Sequence, residues 1–223
     1  RIFLNQEKDD VAVIGVDDEW TQGICAKLMS ERAQQVMPIS AEGALGRGVF
    51  AINARLYYSL GERTGEAGDI SSIASLRGQH NWQNAAAALA AAIAEGVAPN
   101  IAANTMDRFQ GLPHRMEIVA KKGAVTFVND SKATNAEATS RALKSYQDIY
   151  LIAGGKAKEG GVTSLRPLMD RVRAVYLIGD AAREFEEQLA GVASCFQCGD
   201  LPTAVSRAAR DAAMSGLLAP VVM

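Results

Sequence analysis

The sequence predicts an α/β protein in two consecutive domains, the first with a mainly parallel sheet extended by edge hairpins. Three observations predict this. Val11 to Val16 is a continuous apolar run, the pattern of a strand buried on both faces. Residues 43–68 hold six glycines around β-type stretches, which suits hairpins at a sheet edge. From residue 137 onward, helical and strand-like segments alternate, which means a mainly parallel sheet.

The elements follow in order. Asp17-Asp18 close the first strand and can cap a helix over Glu19–Arg32. Val36–Ile39 reads as the next strand, and Val49–Ile52 with Leu56–Tyr58 as hairpin strands. Ile70–Leu76 leads into Arg77-Gly78-Gln79-His80-Asn81. A helix over Trp82–Glu95 follows, stopped by Gly96, and Ala98–Phe109 reads as another helix. Gly111-Leu112-Pro113-His114-Arg115 breaks the pattern, so the domain boundary is placed near residue 110. Glu117–Val128 reads as a hairpin turning at Lys122-Gly123. Helices are expected at 137–146, 164–171, 182–190 and 202–214. Strands are expected at 149–153, 174–178, 219–223 and, short, near 192–197.

Bulk properties narrow the function. With 48% hydrophobic and 22% charged residues in 223, the composition is that of a soluble globular protein. A net charge of −2 provides no basic field for nucleic acid. The longest apolar run, Ala85–Ala94, is too short to span a bilayer, and no signal-peptide pattern opens the chain. Three cysteines, an odd count, argue against a disulfide scaffold and fit a reducing compartment. Cys195 and Cys198 form a lone C-x-x-C, and zinc would need two more ligands. The chain begins at Arg1 rather than Met and ends on a strand-like Ala219–Met223, so a piece of a longer protein is expected.

Four short motifs carry chemistry. Asn129-Asp130-Ser131-Lys132-Ala133-Thr134-Asn135 packs an acid, a base, two hydroxyls and two amides between a strand and a helix. Open α/β sheets bind ligands at such carboxyl ends. Thr134 is expected to cap the helix, whose first N–H groups attract anions; an ordinary capped loop is the alternative. In Gly78-Gln79-His80-Asn81-Trp82-Gln83-Asn84, Asn81 and Asn84 share a helical face, and their amides suit a purine edge. The alternative is that Asn81 caps and Asn84 is merely solvated. Leu112-Pro113-His114-Arg115 offers a guanidinium for phosphate, or for a salt bridge between domains. Leu151–Lys158 runs a strand into Gly154-Gly155 and then Lys156 and Lys158: glycines that let a ligand approach, lysines for carboxylate or phosphate. In Val175–Ala181 a strand again reaches a glycine, and Asp180 is expected to cap the next helix.

The order and spacing of these motifs resemble the Mur ligase family of peptidoglycan synthesis, in particular its D-glutamate-adding branch, over nearly the whole chain. That resemblance implies that residues 1–110 are the C-terminal part of a central ATP-binding domain. Residues 111–223 would be a Rossmann-like C-terminal α/β domain lacking its last segment. It also implies the reaction. ATP phosphorylates the alanyl carboxylate of UDP-N-acetylmuramoyl-L-alanine, the amine of D-glutamate attacks the acyl phosphate, and phosphate leaves. Asn81 and Asn84 would then meet adenine, Asp130 the ribose hydroxyls and Arg115 the phosphates. Lys132 would act with Arg115 at the reacting groups. Lys132, Ser131 and Thr134 would serve the substrates, and Lys158 would hold a D-glutamate carboxylate, with Lys156 the weaker candidate. The family's phosphate loop has no counterpart here, since no G-x-x-x-x-G-K-[ST] occurs. Its Mg2+ ligands are expected upstream of Arg1, and none is assigned within the chain. A monomeric enzyme of the bacterial cytoplasm follows, with no nucleic acid and no membrane insertion. A sister Mur ligase, a folylpolyglutamate synthetase-like ligase or a non-catalytic nucleotide-binding module are the alternatives.

Overall fold

The computed structural model describes residues 3, 5–31, 34–156 and 160–223. The chain divides into two compact units, Arg1–Gln110 and Gly111–Met223.

The first unit is built on a five-stranded sheet. β1 (Val11–Gly15), β2 (Gln35–Ser40) and β3 (Gly48–Ile52) run parallel; β4 (Arg55–Leu60) and β5 (Arg63–Asp69) continue antiparallel in simple succession. Successive side chains of a strand point to opposite faces, and β1 uses both. Ala12 and Ile14 pack with Cys25 and Leu28 of α1 (Glu19–Glu31), while Val13 packs into the core that holds α2 (Gln79–Ala94). That is why its sequence is apolar throughout. α2 lays Ala85, Ala86, Leu89 and Ala90 on the sheet; the alanines let helix and strands approach closely around the fully buried Val49, Leu56 and Ile70. Burying each such aliphatic side chain stabilises by roughly 1.5–3 kcal/mol. β5, within the expected hairpin region, has the polar sequence Arg-Thr-Gly-Glu-Ala-Gly-Asp, which carries no apolar strand pattern. One expectation is corrected. The helix expected over Ala98–Phe109 is a short α3 (Pro99–Asn104) continued by a 3-10 turn at Thr105–Arg108.

The second unit carries a six-stranded sheet in the order β10-β9-β8-β11-β7-β6. β6 (Glu117–Lys122) and β7 (Val125–Asn129) form the expected hairpin. The other pairings, among β7, β8 (Ile149–Gly154), β9 (Val172–Ile178), β10 (Cys195–Gly199) and β11 (Val221–Val222), are parallel. The last strand, only two residues long, lies between β7 and β8. Those strands therefore present their carboxyl ends on one edge, on either side of β11. α4 (Ala136–Ser145) and α5 (Ala182–Leu189) bury Leu143, Phe185 and Leu189 on one side of the sheet. α6 (Leu201–Met214) buries Ala204, Ala208 and Ala212 on the other. Tyr176 is fully buried there and its hydroxyl donates to Asp211 at 2.8 Å. The helix expected at 164–171 is a 3-10 segment, Thr163–Arg171, with Pro167 inside. Proline lacks the N–H that a regular α-helix needs at that point.

Candidate functional site

In the second unit, the loop after β7 is held open by its own backbone. Ala133 N–H donates to the Asp130 carbonyl at 2.8 Å and Thr134 N–H to the Lys132 carbonyl at 2.9 Å. The Asn129 Oδ1 accepts from Ser131 N–H at 3.1 Å. The segment 114–116 stitches onto this loop. The His114 carbonyl accepts from Lys132 N–H at 3.0 Å, the His114 ring bonds the Asn129 amide at 2.9 Å, and Met116 N–H donates to Asp130 Oδ1 at 3.0 Å. His114 and Met116 sit at φ 63° and φ 51°, a left-handed conformation that costs a non-glycine residue about 1–3 kcal/mol. The hydrogen bonds to Lys132 and Asp130, and burial of the Met116 side chain, hold them there. Arg115 lies between, exposed, beside the half-buried Asp130.

Burial pushes the Asp130 carboxyl above its ordinary value; the Met116 N–H bond and the Arg115 charge pull the other way and do not overcome it. Among the described residues, no hydrogen bond or ion pair engages the side chains of Arg115, Ser131, Lys132 or Thr134, and all four are exposed. The structure thus gathers a carboxylate with one oxygen committed, a free guanidinium, a free ammonium and two free hydroxyls on stitched backbone. Such groups can neutralise and orient an anionic ligand. Thr134 does not cap α4, contrary to expectation. Asn135 does, its Oδ1 accepting from Ala138 N–H at 2.8 Å, which leaves the Thr134 hydroxyl free.

Asn81 and Asn84 lie in the first unit, on α2. The helix begins at Gln79, so Asn81 is inside its first turn rather than at its cap. Its Nδ2 donates to the Arg77 carbonyl at 2.8 Å, and its Oδ1 accepts from Asn84 Nδ2 at 3.3 Å. Asn81 is buried and Asn84 exposed. The pair therefore divides the work: Asn81 is fixed and orients Asn84, whose oxygen and second N–H face outward.

The glycine pair has a packing role. A Cβ on Gly154 would lie 1.9 Å from the Ile178 carbonyl oxygen, so the neighbouring strand by itself requires glycine there. Gly155, at φ 101°, has open space where a Cβ would stand. Lys156 is exposed; Lys158 lies outside the described residues. Asp180 is not a cap, since α5 starts after Ala181 without a side-chain capping bond. Cys195 and Cys198 are free thiols, and burial pushes that of Cys195 up. Among the described residues, no three His, Cys, Asp or Glu side chains are grouped to hold a metal ion. Nor is any helix among them long and apolar enough to cross a membrane. Sequence reading missed the roles of Asn129, His114 and Met116 as the frame of the loop. The positive φ of His114 and Met116 has no sequence signature, because neither is glycine.

Residues 114–219 match the model of the Mur ligase, glutamate ligase domain. The whole chain is 51% identical to a UDP-N-acetylmuramoylalanine–D-glutamate ligase of a Caulobacter species, covering 48% of it, and 52% identical to that of Caulobacter vibrioides, covering 47%. The chain thus spans about half the length of the curated relatives it matches. Among solved structures, MurF from Acinetobacter baumannii superposes with a TM-score of 0.63 at 20% identity, over 96% of this chain and 48% of that one. A bifunctional folylpolyglutamate synthase/dihydrofolate synthase from Yersinia pestis gives 0.61 at 18%, over 98% and 53%. At those identities the structural likeness speaks for the fold.

Proposed function

The chain belongs to the Mur ligase family, and from that premise we propose that it is part of a cytoplasmic, ATP-dependent ligase. This enzyme adds D-glutamate to UDP-N-acetylmuramoyl-L-alanine during peptidoglycan precursor synthesis, forming ADP. Residues 1–110 are read as the end of the central ATP-binding domain and residues 111–223 as most of the C-terminal domain. The observation that carries the reading is the loop at 129–135. Its sequence is the one expected of the D-glutamate-adding branch, and its Ser131, Lys132 and Thr134 side chains are exposed and, among the described residues, unspent.

Carboxylate activation by ATP and attack by an amine need placement and charge neutralisation more than a protein nucleophile. In this reading Arg115 lies along the phosphates and holds the charge that builds on the transferred group. Lys132 does the same at the acyl carboxylate and at the incoming amino acid. The free oxygen of Asp130 accepts from the ribose hydroxyls, and Asn84, oriented by Asn81, meets the adenine edge. Ser131 and Thr134 hydroxyls orient the substrates, and Lys158 holds a D-glutamate carboxylate. The family reaction implies Mg2+, which would supply charge shielding at the phosphates; none of the residues named here is assigned to hold it. The full-length protein, given UDP-N-acetylmuramoyl-L-alanine and ATP, should release ADP when D-glutamate is supplied and not with other D-amino acids or L-glutamate. Release driven equally by another amino acid would overturn the assignment.

A further inference from the structure

Asp17 stands at the carboxyl end of β1 and does not cap α1; its neighbour Asp18 does, accepting from Thr21 N–H at 2.9 Å. The Asp17 carboxylate instead gathers three donors from two other elements. Oδ1 accepts from the hydroxyl of the buried Ser40, the last residue of β2, at 2.5 Å. Oδ2 accepts from Ala41 N–H at 2.9 Å and from Gln83 Nε2, on α2, at 2.6 Å. Ser40 Oγ in turn accepts from the N–H groups of Glu42 and Gly43 at 3.1 and 3.2 Å. One turn earlier on α2, Gln79 Nε2 donates to the Ala41 carbonyl at 2.9 Å. A helix start normally relies on a side-chain cap. α2 has none, because its cap residue is Gly78. Its first two turns are held against the carboxyl ends of β1 and β2 by Asp17, through Gln83, and by Gln79. Gln79 and Gln83, four apart, share one face of the helix; Asn81 and Asn84, three apart, share another.

We propose that Asp17 is a positioning residue for recognition of the nucleotide base: it fixes, through Gln83, the rotation and depth of the helical turns that present Asn81 and Asn84. The proposal rests on the reading of Asn84 as a contact to adenine. A carboxylate suits the task because its two oxygens can take all three donors, whereas a neutral hydroxyl could not.

The test uses the full-length ligase, with ATP and inosine triphosphate as alternative nucleotides, well below the melting temperature. Asn84→Ala establishes the base contact by lowering the ratio of kcat/KM for ATP to that for inosine triphosphate. Asp17→Ala is expected to lower the same ratio and to raise the KM for ATP, each by about 5- to 30-fold, the factor for one or two lost hydrogen bonds. The KM for D-glutamate should stay unchanged. Asp17→Asn is expected to recover only part of the loss: its amide oxygen can still accept from Ala41 and Gln83, but its NH2 faces a Ser40 Oγ whose two lone pairs already accept from Glu42 and Gly43. Gln83→Leu removes the tie alone and carries the same test should Asp17→Ala fail to fold. If Asn84→Ala changes the ratio while neither Asp17→Ala nor Gln83→Leu does, Asp17 is only structural and the proposal falls. If Asn84→Ala leaves the ratio unchanged, the base contact itself is wrong and the proposal falls with it.

Discussion

At the scale of single residues, the account turns on Asp130 and Arg115. Burial lifts the Asp130 carboxyl above its ordinary value, and the Arg115 charge opposes that lift. The folded chain therefore holds this proton to a higher pH than the unfolded chain does. The Asp130 contribution to stability falls as pH rises from the ordinary aspartate range through the folded value, then levels off. Arg115→Ala should move the Asp130 titration further up, as followed by side-chain carboxyl NMR in the 223-residue chain. An unmoved titration would mean that the two side chains are not neighbours in solution. In the full-length enzyme the same substitution should cost roughly 1.5–3 kcal/mol of transition-state binding, a ~10- to 150-fold loss in kcat/KM, with the melting temperature kept. A lowered melting temperature with unchanged turnover would instead identify Arg115 as a structural salt-bridge partner.

At the scale of elements, the loop–helix junction after β7 separates stability from function. Asn135→Ala removes the cap of α4 and should destabilise the second unit by about 1 kcal/mol, read from denaturant unfolding. Thr134→Val, one residue up the chain, should change stability by less than about 0.5 kcal/mol, since its hydroxyl is spent on nothing in the described structure. It should nevertheless raise the KM for D-glutamate. The reverse pattern would restore Thr134 as the cap. Gly154→Ala should destabilise by about 1–3 kcal/mol or more, because the added methyl meets the Ile178 carbonyl; an unaffected melting temperature would show that β8 and β9 can part. These junctions also mark where sequence reading works. Long apolar or amphipathic elements, β1, α2 and β8 among them, are legible because their burial pattern repeats along the chain. β5 is not, because ladder hydrogen bonds rather than apolar side chains hold a polar edge strand. The cap falls one residue later than the sequence predicts because threonine and asparagine are both good caps, and only the backbone turn decides between them.

At the scale of the whole molecule, the two α/β units follow from the change in pattern around residues 111–115, and the motif residues follow from their places at strand ends and helix starts. Their partners do not. That Asp17 binds α2, or that His114 frames the loop at 129–135, depends on contacts between residues 15 to 66 positions apart in the chain. Local composition carries no trace of such contacts. The central claim is that these residues position a phosphorylated acyl group for attack by D-glutamate. The most direct measurement follows oxygen. UDP-N-acetylmuramoyl-L-alanine labelled with 18O in its alanyl carboxylate is turned over by the full-length enzyme with ATP and D-glutamate, and the released phosphate is analysed by mass. One labelled oxygen should pass from the carboxylate to inorganic phosphate for each amide bond formed. Product formation with unlabelled phosphate would contradict the account.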